Sequence, residues 1–136
     1  NDTFLGLAIM AKSGDRVLLD YFAIAPERRG HGTGSAVLQA LKERYQGIRI
    51  IIEIESTKCV DEEELVIRTR RKKFYLRNGF TMLPYYIDLW GTEMEMLSNG
   101  QPCPYEEYLD IYTTAFGTKV SDKIHFLGDA PAADEI

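Results

Sequence analysis

The sequence has little cysteine, little histidine and no surplus of positive charge, and each shortage closes off a class of protein. Its two cysteines, Cys59 and Cys103, stand far apart and outside any C-x-x-C spacing. Neither a disulfide framework nor a zinc site is expected, and both read as free thiols of a cytosolic protein. The two histidines, His31 and His125, are isolated and give no metal site. Sixteen basic residues face 21 acidic ones, for a net charge of −5, which argues against a nucleic-acid binder relying on phosphate attraction. No apolar run reaches the roughly 18 residues of a membrane span, and no basic, hydrophobic leader opens the chain. The expectation is a cytoplasmic protein that partners neither nucleic acid nor membrane.

What is present is 136 residues, 45% of them hydrophobic, enough for one compact domain over residues 1–127, with 128–136 as a tail. Residues 4–10 and 17–24 are apolar runs around the turn-forming Ser13-Gly14-Asp15, so they read as a hairpin. Pro26 and a run of glycines end its second strand. Gly34, Val37, Leu38, Leu41 and Tyr45 then recur at spacings of three and four, the stripe of a helix that Gly47 stops. In residues 48–55, Ile50, Ile52 and Ile54 alternate with Ile51, Glu53 and Glu55, a β-branched strand interior to a sheet. Strand, helix and strand in this order imply a crossover and a parallel pair. An acidic opening over 59–64 starts a second helix, basic residues crowd between Arg68 and Lys73, and Asn78-Gly79 stops it. Strands over 81–89 and 92–97 meet at Trp90-Gly91, and a loop covers 98–102. A last helix over 104–116 turns Tyr108, Leu109, Ile111, Tyr112 and Phe116 partly inward. Residues 119–127 read as a short strand.

The segment that carries chemistry is Arg29-Gly30-His31-Gly32-Thr33-Gly34. Alternating glycines before a helix let backbone N–H groups converge on an anion, and the helix dipole favours negative charge there. The N–H groups of about Gly30 to Ser35 can point into one concavity. His31 contributes there through its backbone more than its ring. A P-loop is excluded, because Gly34 is followed by Ser35-Ala36 and no lysine comes before Lys42. A dinucleotide fingerprint fits poorly, since the glycine spacing is wrong and no acidic residue stands at the usual ribose position. A glycine-rich turn with only a bending role remains the structural alternative.

Arg29, Gly32 and Gly34 form an Arg-x-x-Gly-x-Gly pattern after the strand ending Phe22-Ala23-Ile24-Ala25-Pro26, and this resembles motif A of the GNAT superfamily of acyl-CoA-dependent N-acyltransferases. Phe74-Tyr75-Leu76-Arg77-Asn78-Gly79-Phe80 resembles that family's next motif, with a tyrosine four residues before a Gly-Phe pair. The resemblance covers residues 4–97. It implies an α/β (α+β) fold: a mixed, mostly antiparallel sheet with a splayed parallel strand pair and flanking helices. It also implies acetyl-CoA as acyl donor, no metal, and direct transfer of the acetyl group to a primary amine in a ternary complex. In such a fold the pantetheine arm pairs with the strand backbone at Phe22, Ala23 and Ile24, and Arg29, Gly30, His31, Gly32, Thr33, Gly34 and Ser35 hold the pyrophosphate. Tyr75 is the implied acid for the departing thiolate, the alternative being a core tyrosine. Glu53 is the implied general base, with Glu55 second, and one of the two is expected beside the cleft with a raised pKa. Both could instead be exposed or pair with the basic helix.

The chain also departs from the family. Where many members carry a cofactor-contacting asparagine, this sequence has Arg68-Thr69-Arg70-Arg71-Lys72-Lys73. Arg68, Arg71 and Lys72 fall near the face of Tyr75, to meet phosphates or an acidic acceptor, or to form a solvated face. Family domains usually begin with a strand, one or two helices and another strand that build much of the acceptor wall. None precedes this hairpin, so either the chain starts inside the natural protein, which is the expectation, or another segment fills that role. The acceptor is not specified, a homodimer stays open, and the runner-up function is an acyl-CoA-binding or regulatory module without turnover.

Overall fold

A computed structural model describes residues 6–24, 32–58, 61–100 and 102–129. The elements run β1 (Gly6–Ser13), β2 (Arg16–Ile24), α1 (Thr33–Arg44), β3 (Arg49–Glu55), α2 (Glu62–Arg77), β4 (Thr81–Leu89), β5 (Thr92–Ser98), α3 (Tyr105–Phe116), α4 (Thr118–Ser121) and β6 (Ile124–Asp129). The six strands form one sheet in the order β1-β2-β3-β5-β4-β6. Only β2 and β3 pair in parallel, because α1 carries the chain across between them; the other neighbours are antiparallel. The expected mixed, mostly antiparallel sheet is therefore the observed one.

The parallel pair is short. It runs from Arg16 opposite Arg49 to Leu19 opposite Ile52 and then stops, although β2 continues to Ile24 and β3 to Glu55. Beyond that point, among the described residues, β2 pairs with β1 and β3 with β5. A bulge marks the parting. Ile9 faces Tyr21 while Met10 faces Leu19, so Asp20 is an extra residue on β2, and a bulge bends its strand and raises the local twist. The two strands thus diverge at their carboxyl ends, the edge from which α1 departs.

The sheet separates two cores. On one face Leu19, Ile50, Ile52, Ile54 and Leu97 pack with Leu38 of α1 and with Tyr75 and Phe80 at the end of α2. On the other, Ala11, Leu18, Ile51, Met94, Met96 and Ile87 pack with Tyr108, Ile111 and Tyr112 of α3. The period of two along β3 sends Ile50, Ile52 and Ile54 to the first core and Ile51 to the second. Each of these large apolar side chains contributes about 1.5–3 kcal/mol by leaving water.

The start of α3 is tied to the opposite end of β3. Arg16 donates to the Glu107 carbonyl at 2.8 Å and to Asp110 at 2.9 Å, and Arg49 pairs with Glu107 at 2.8 Å and with Asp15 at 3.1 Å. Asp15 and Asp110 are well exposed, so these bonds set the heading of α3 more than they stabilise it. Running from there, α3 brings its last turn to the parted ends of β2 and β3.

Apart from shifts at the ends of elements, such as β1 running on through Ser13, the structure differs from the sequence reading at the C-terminal end. Residues 118–121 form a helical turn before the last strand, and that strand reaches Asp129, two residues into the stretch read as a tail. It pairs with β4, Ile124 opposite Leu89 and Asp129 opposite Tyr85, and so covers that edge of β4. Among the described residues no helix is long and apolar enough to cross a membrane.

Candidate active site

The motif A turn reaches the structure in part. Arg29, Gly30 and His31 lie outside the described residues, whereas Gly32, Thr33, Gly34 and Ser35 open α1. Gly32 sits at φ +74°, the left-handed region where a side chain is strained, and no atom of the described residues lies within 4 Å of where its Cβ would be. The turn therefore uses glycine for backbone conformation. The Ala36 N–H donates to the Gly32 carbonyl at 3.0 Å, so the N–H groups of Thr33, Gly34 and Ser35 precede the helical ladder. No side chain caps this end and no acidic residue occupies its first turn. Orphan donors and the positive end of the dipole suit an anion.

Phe22, Ala23 and Ile24 form the carboxyl end of β2, opposite Ala8, Leu7 and Gly6 of β1. Their other backbone edge faces the opening where β3 has left. Among the described residues no strand pairs with that edge, and an unpaired strand edge is a template for an extended ligand.

Tyr75 is buried, 6% exposed, with its ring edge-on to Phe74 at 5.3 Å and to Phe80 at 6.0 Å. Burial pushes its hydroxyl above the ordinary phenol value, and the Arg71 charge opposes that only partly. The phenol is therefore protonated at neutral pH and able to donate.

The two glutamates of β3 have different partners. Glu53 is half-buried, one residue beyond the last parallel pair; Tyr108 and Tyr112 donate to its Oε2 and Oε1, each at 2.6 Å. Burial, followed by the Glu53 charge, pushes the Tyr108 hydroxyl far up, which keeps that proton on Tyr108. Glu55 instead pairs with Arg68 at 3.0 Å and with Arg71 at 3.3 Å. Of the two expected bases, Glu55 is the one that pairs with the basic helix.

Lys72 is also engaged. It pairs with Glu95 of β5 at 2.7 Å, both side chains at most 10% exposed, and Glu95 further accepts from the Thr57 N–H and hydroxyl. Burial opposes the Glu95 charge, but Lys72 and Thr57 outweigh it and hold the carboxyl below its ordinary value. Arg68, Arg71 and Lys72 thus tie α2 to β3 and β5. Cys103 is a free, buried thiol that burial pushes up to about 11, too high to be a nucleophile at neutral pH; Cys59 lies outside the described residues. Tyr108 and Tyr112 were legible only as inward positions of the last helix. Their i, i+4 spacing puts both on one helix face, but nothing in the sequence pairs them with a glutamate more than fifty residues earlier.

A parallel strand pair joined through a helix, within an otherwise antiparallel sheet flanked by helices, defines a mixed α/β protein. The family profile of the acetyltransferase (GNAT) domain matches residues 1–82, and the chain belongs to that family. Among solved structures, it is similar to a protein described as a GNAT-family acetyltransferase from Bacteroides thetaiotaomicron, at 25% identity and TM-score 0.64 over 83% of this chain and 66% of that one. It is also similar to nourseothricin acetyltransferase, at 25% identity and TM-score 0.54, covering 74% of this chain and 58% of that one. A Bacillus subtilis acetyltransferase in complex with CoA shares the fold at 15% identity and TM-score 0.55, over 71% of this chain and 69% of that one. The chain spans less than two thirds of the first two proteins' lengths. No curated protein sequence matches.

Proposed function

We propose that this chain transfers an acetyl group from acetyl-CoA to a primary amine by direct attack. The observation that carries this reading is the parting of β2 and β3 after Leu19 and Ile52, beside the glycine-led start of α1. The exposed backbone edge at Phe22, Ala23 and Ile24 receives the extended arm of the donor. Gly32, Thr33, Gly34 and Ser35, with Arg29, Gly30 and His31 ahead of them, hold its pyrophosphate through backbone N–H groups and the helix dipole. Acetyl-CoA supplies a thioester, whose carbonyl is the electrophile.

Glu53 takes the proton of the incoming ammonium, so that the neutral amine forms the new C–N bond. The C–S bond breaks as the C–N bond forms; Tyr75 gives its proton to the leaving sulfur and is reprotonated, through solvent, by the second proton that the nitrogen loses on becoming the amide. Glu53 and Tyr75 belong to opposite cores, so acid and base act from the two faces of the parted strands. Holding both reactants in one cleft makes the bimolecular step effectively unimolecular. The test is thiol release from acetyl-CoA with a panel of small amines, diamines and peptide N-termini. Amine-dependent release is expected, whereas saturable acetyl-CoA binding with no release on any amine would leave only a binding module.

A further inference from the structure

Beyond residue 82, where the family match ends, the chain adds α3 and the β4–β5 turn to the carboxyl edge of the parted strands. Aromatic rings collect there. Tyr112, whose hydroxyl donates to Glu53, has Phe116 at 5.6 Å on one side and Trp90 at 6.3 Å on the other, and Tyr108 lies 5.5 Å away. Phe116 is 48% and Trp90 54% exposed, so the strip leads from solvent to a carboxylate.

Trp90 is placed there against backbone preference. Leu89 pairs with Thr92 around a two-residue turn, with Trp90 at φ +49° and Gly91 at φ +87°. Turns with both central residues at positive φ favour Asn-Gly, and a bulky residue in the first position is strained. Trp90 is also the only non-glycine residue at positive φ among the described residues. The Trp90 N–H donates to the Lys123 carbonyl and the Gly91 N–H to the Asp88 carboxylate of the same hairpin, each at 3.2 Å. An exposed indole held in a strained turn beside the reaction cleft points to a ligand contact.

We infer that α3 and the β4–β5 turn build the acceptor wall of this enzyme: Trp90, Tyr112 and Phe116 receive a primary amine carried on an apolar or flat body, and Tyr108 and Tyr112 hold Glu53 for its ammonium. Cations are attracted to aromatic faces, strongly so once water is displaced. The wall stands on the α3 face, whereas Tyr75 stands in the opposite core, so the amine approaches the thioester from the side away from the leaving-group acid. This inference rests on the transferase reading above and adds to it the class of acceptor.

Trp90 is the single tryptophan of the chain, so its fluorescence reports on the wall directly and needs no turnover. Benzylamine is titrated into the protein, with benzyl alcohol as the neutral isostere. A saturable fluorescence change with benzylamine alone is expected, weakened about tenfold in Glu53→Gln and severalfold in Phe116→Leu, which removes one half-exposed ring with little risk to the fold. Silence with benzylamine, equal responses to the two probes, or full affinity in both variants overturns the assignment. Calorimetric titration with acetyl-CoA is run alongside. Acetyl-CoA binding without an amine response sinks the wall and leaves the donor site standing, and the converse sinks the donor site alone.

Discussion

Glu53 and Glu95 sit on neighbouring strands at nearly the same level of the sheet, Glu53 opposite Met96 and Ile54 opposite Glu95, yet the two faces treat them differently. On the α1 and α2 face, Lys72 neutralises Glu95 in a buried ion pair and Thr57 completes its hydrogen bonding. On the α3 face, Tyr108 and Tyr112 hold Glu53 with donors that carry no charge. The Glu95 carboxylate is closed into a buried ion pair, whereas that of Glu53 is oriented by two phenol hydroxyls. The first face is built almost wholly within the region matched to the family, and the second takes α3 from outside it.

The largest contrast should appear in Glu95→Gln, which leaves Lys72 buried beside a neutral group. A loss of about 3–5 kcal/mol in urea unfolding is expected; a loss under about 1 kcal/mol would mean that the pair is solvated. The same residue sets a pH limb. Its native pKa is depressed, so its contribution is complete at neutral pH, begins to fade near the ordinary value of 4.5 and is gone below the depressed one. Stability should therefore fall on acidification, and Glu95→Gln should flatten that limb; an unchanged acid limb would assign it to other carboxylates.

Tyr75→Phe keeps the packing and removes the acid. Turnover should drop about 100-fold while acetyl-CoA affinity stays within about twofold, and unchanged turnover would return Tyr75 to the core alone. The smallest effect is expected from Tyr108→Phe, which deletes one of the two phenol donors to Glu53 and should cost about 1.5–3 kcal/mol of stability or activation energy. Comparing unfolding with kcat and KM separates the two: a fall in kcat at constant stability assigns the hydroxyl to the reaction.

The hairpin, the isoleucine-rich strand and the helix opened by Gly32 and Gly34 were legible because period-two and period-3.6 patterns and glycine turns are local signals. The parting of β2 and β3 was not local: it depends on the Asp20 bulge and on β1 and β5 claiming the two strands. The basic residues of α2 read as a contact for phosphates or an acidic acceptor or, more often, as a solvated face, and only the fold brought Glu95 to Lys72. The acceptor side was the least legible. Among the described residues, what packs on that sheet face is α3, through tyrosines whose partner lies 55 and 59 residues away. Trp90-Gly91 announced a turn and nothing about what the indole does there.

The central claim is that the glycine-led start of α1 binds the pyrophosphate of acetyl-CoA between the parted strands. Calorimetric titration of the wild-type protein and of Gly32→Val with acetyl-CoA, NAD and ATP tests it most directly. The account predicts saturable binding of acetyl-CoA in preference to the other two, and loss of that binding in Gly32→Val. The left-handed backbone needed there costs a β-branched residue at least about 1–2 kcal/mol, and its side chain would fill the space beside the anion. Retained acetyl-CoA affinity in Gly32→Val, or binding of NAD or ATP but not acetyl-CoA by the wild type, would contradict it.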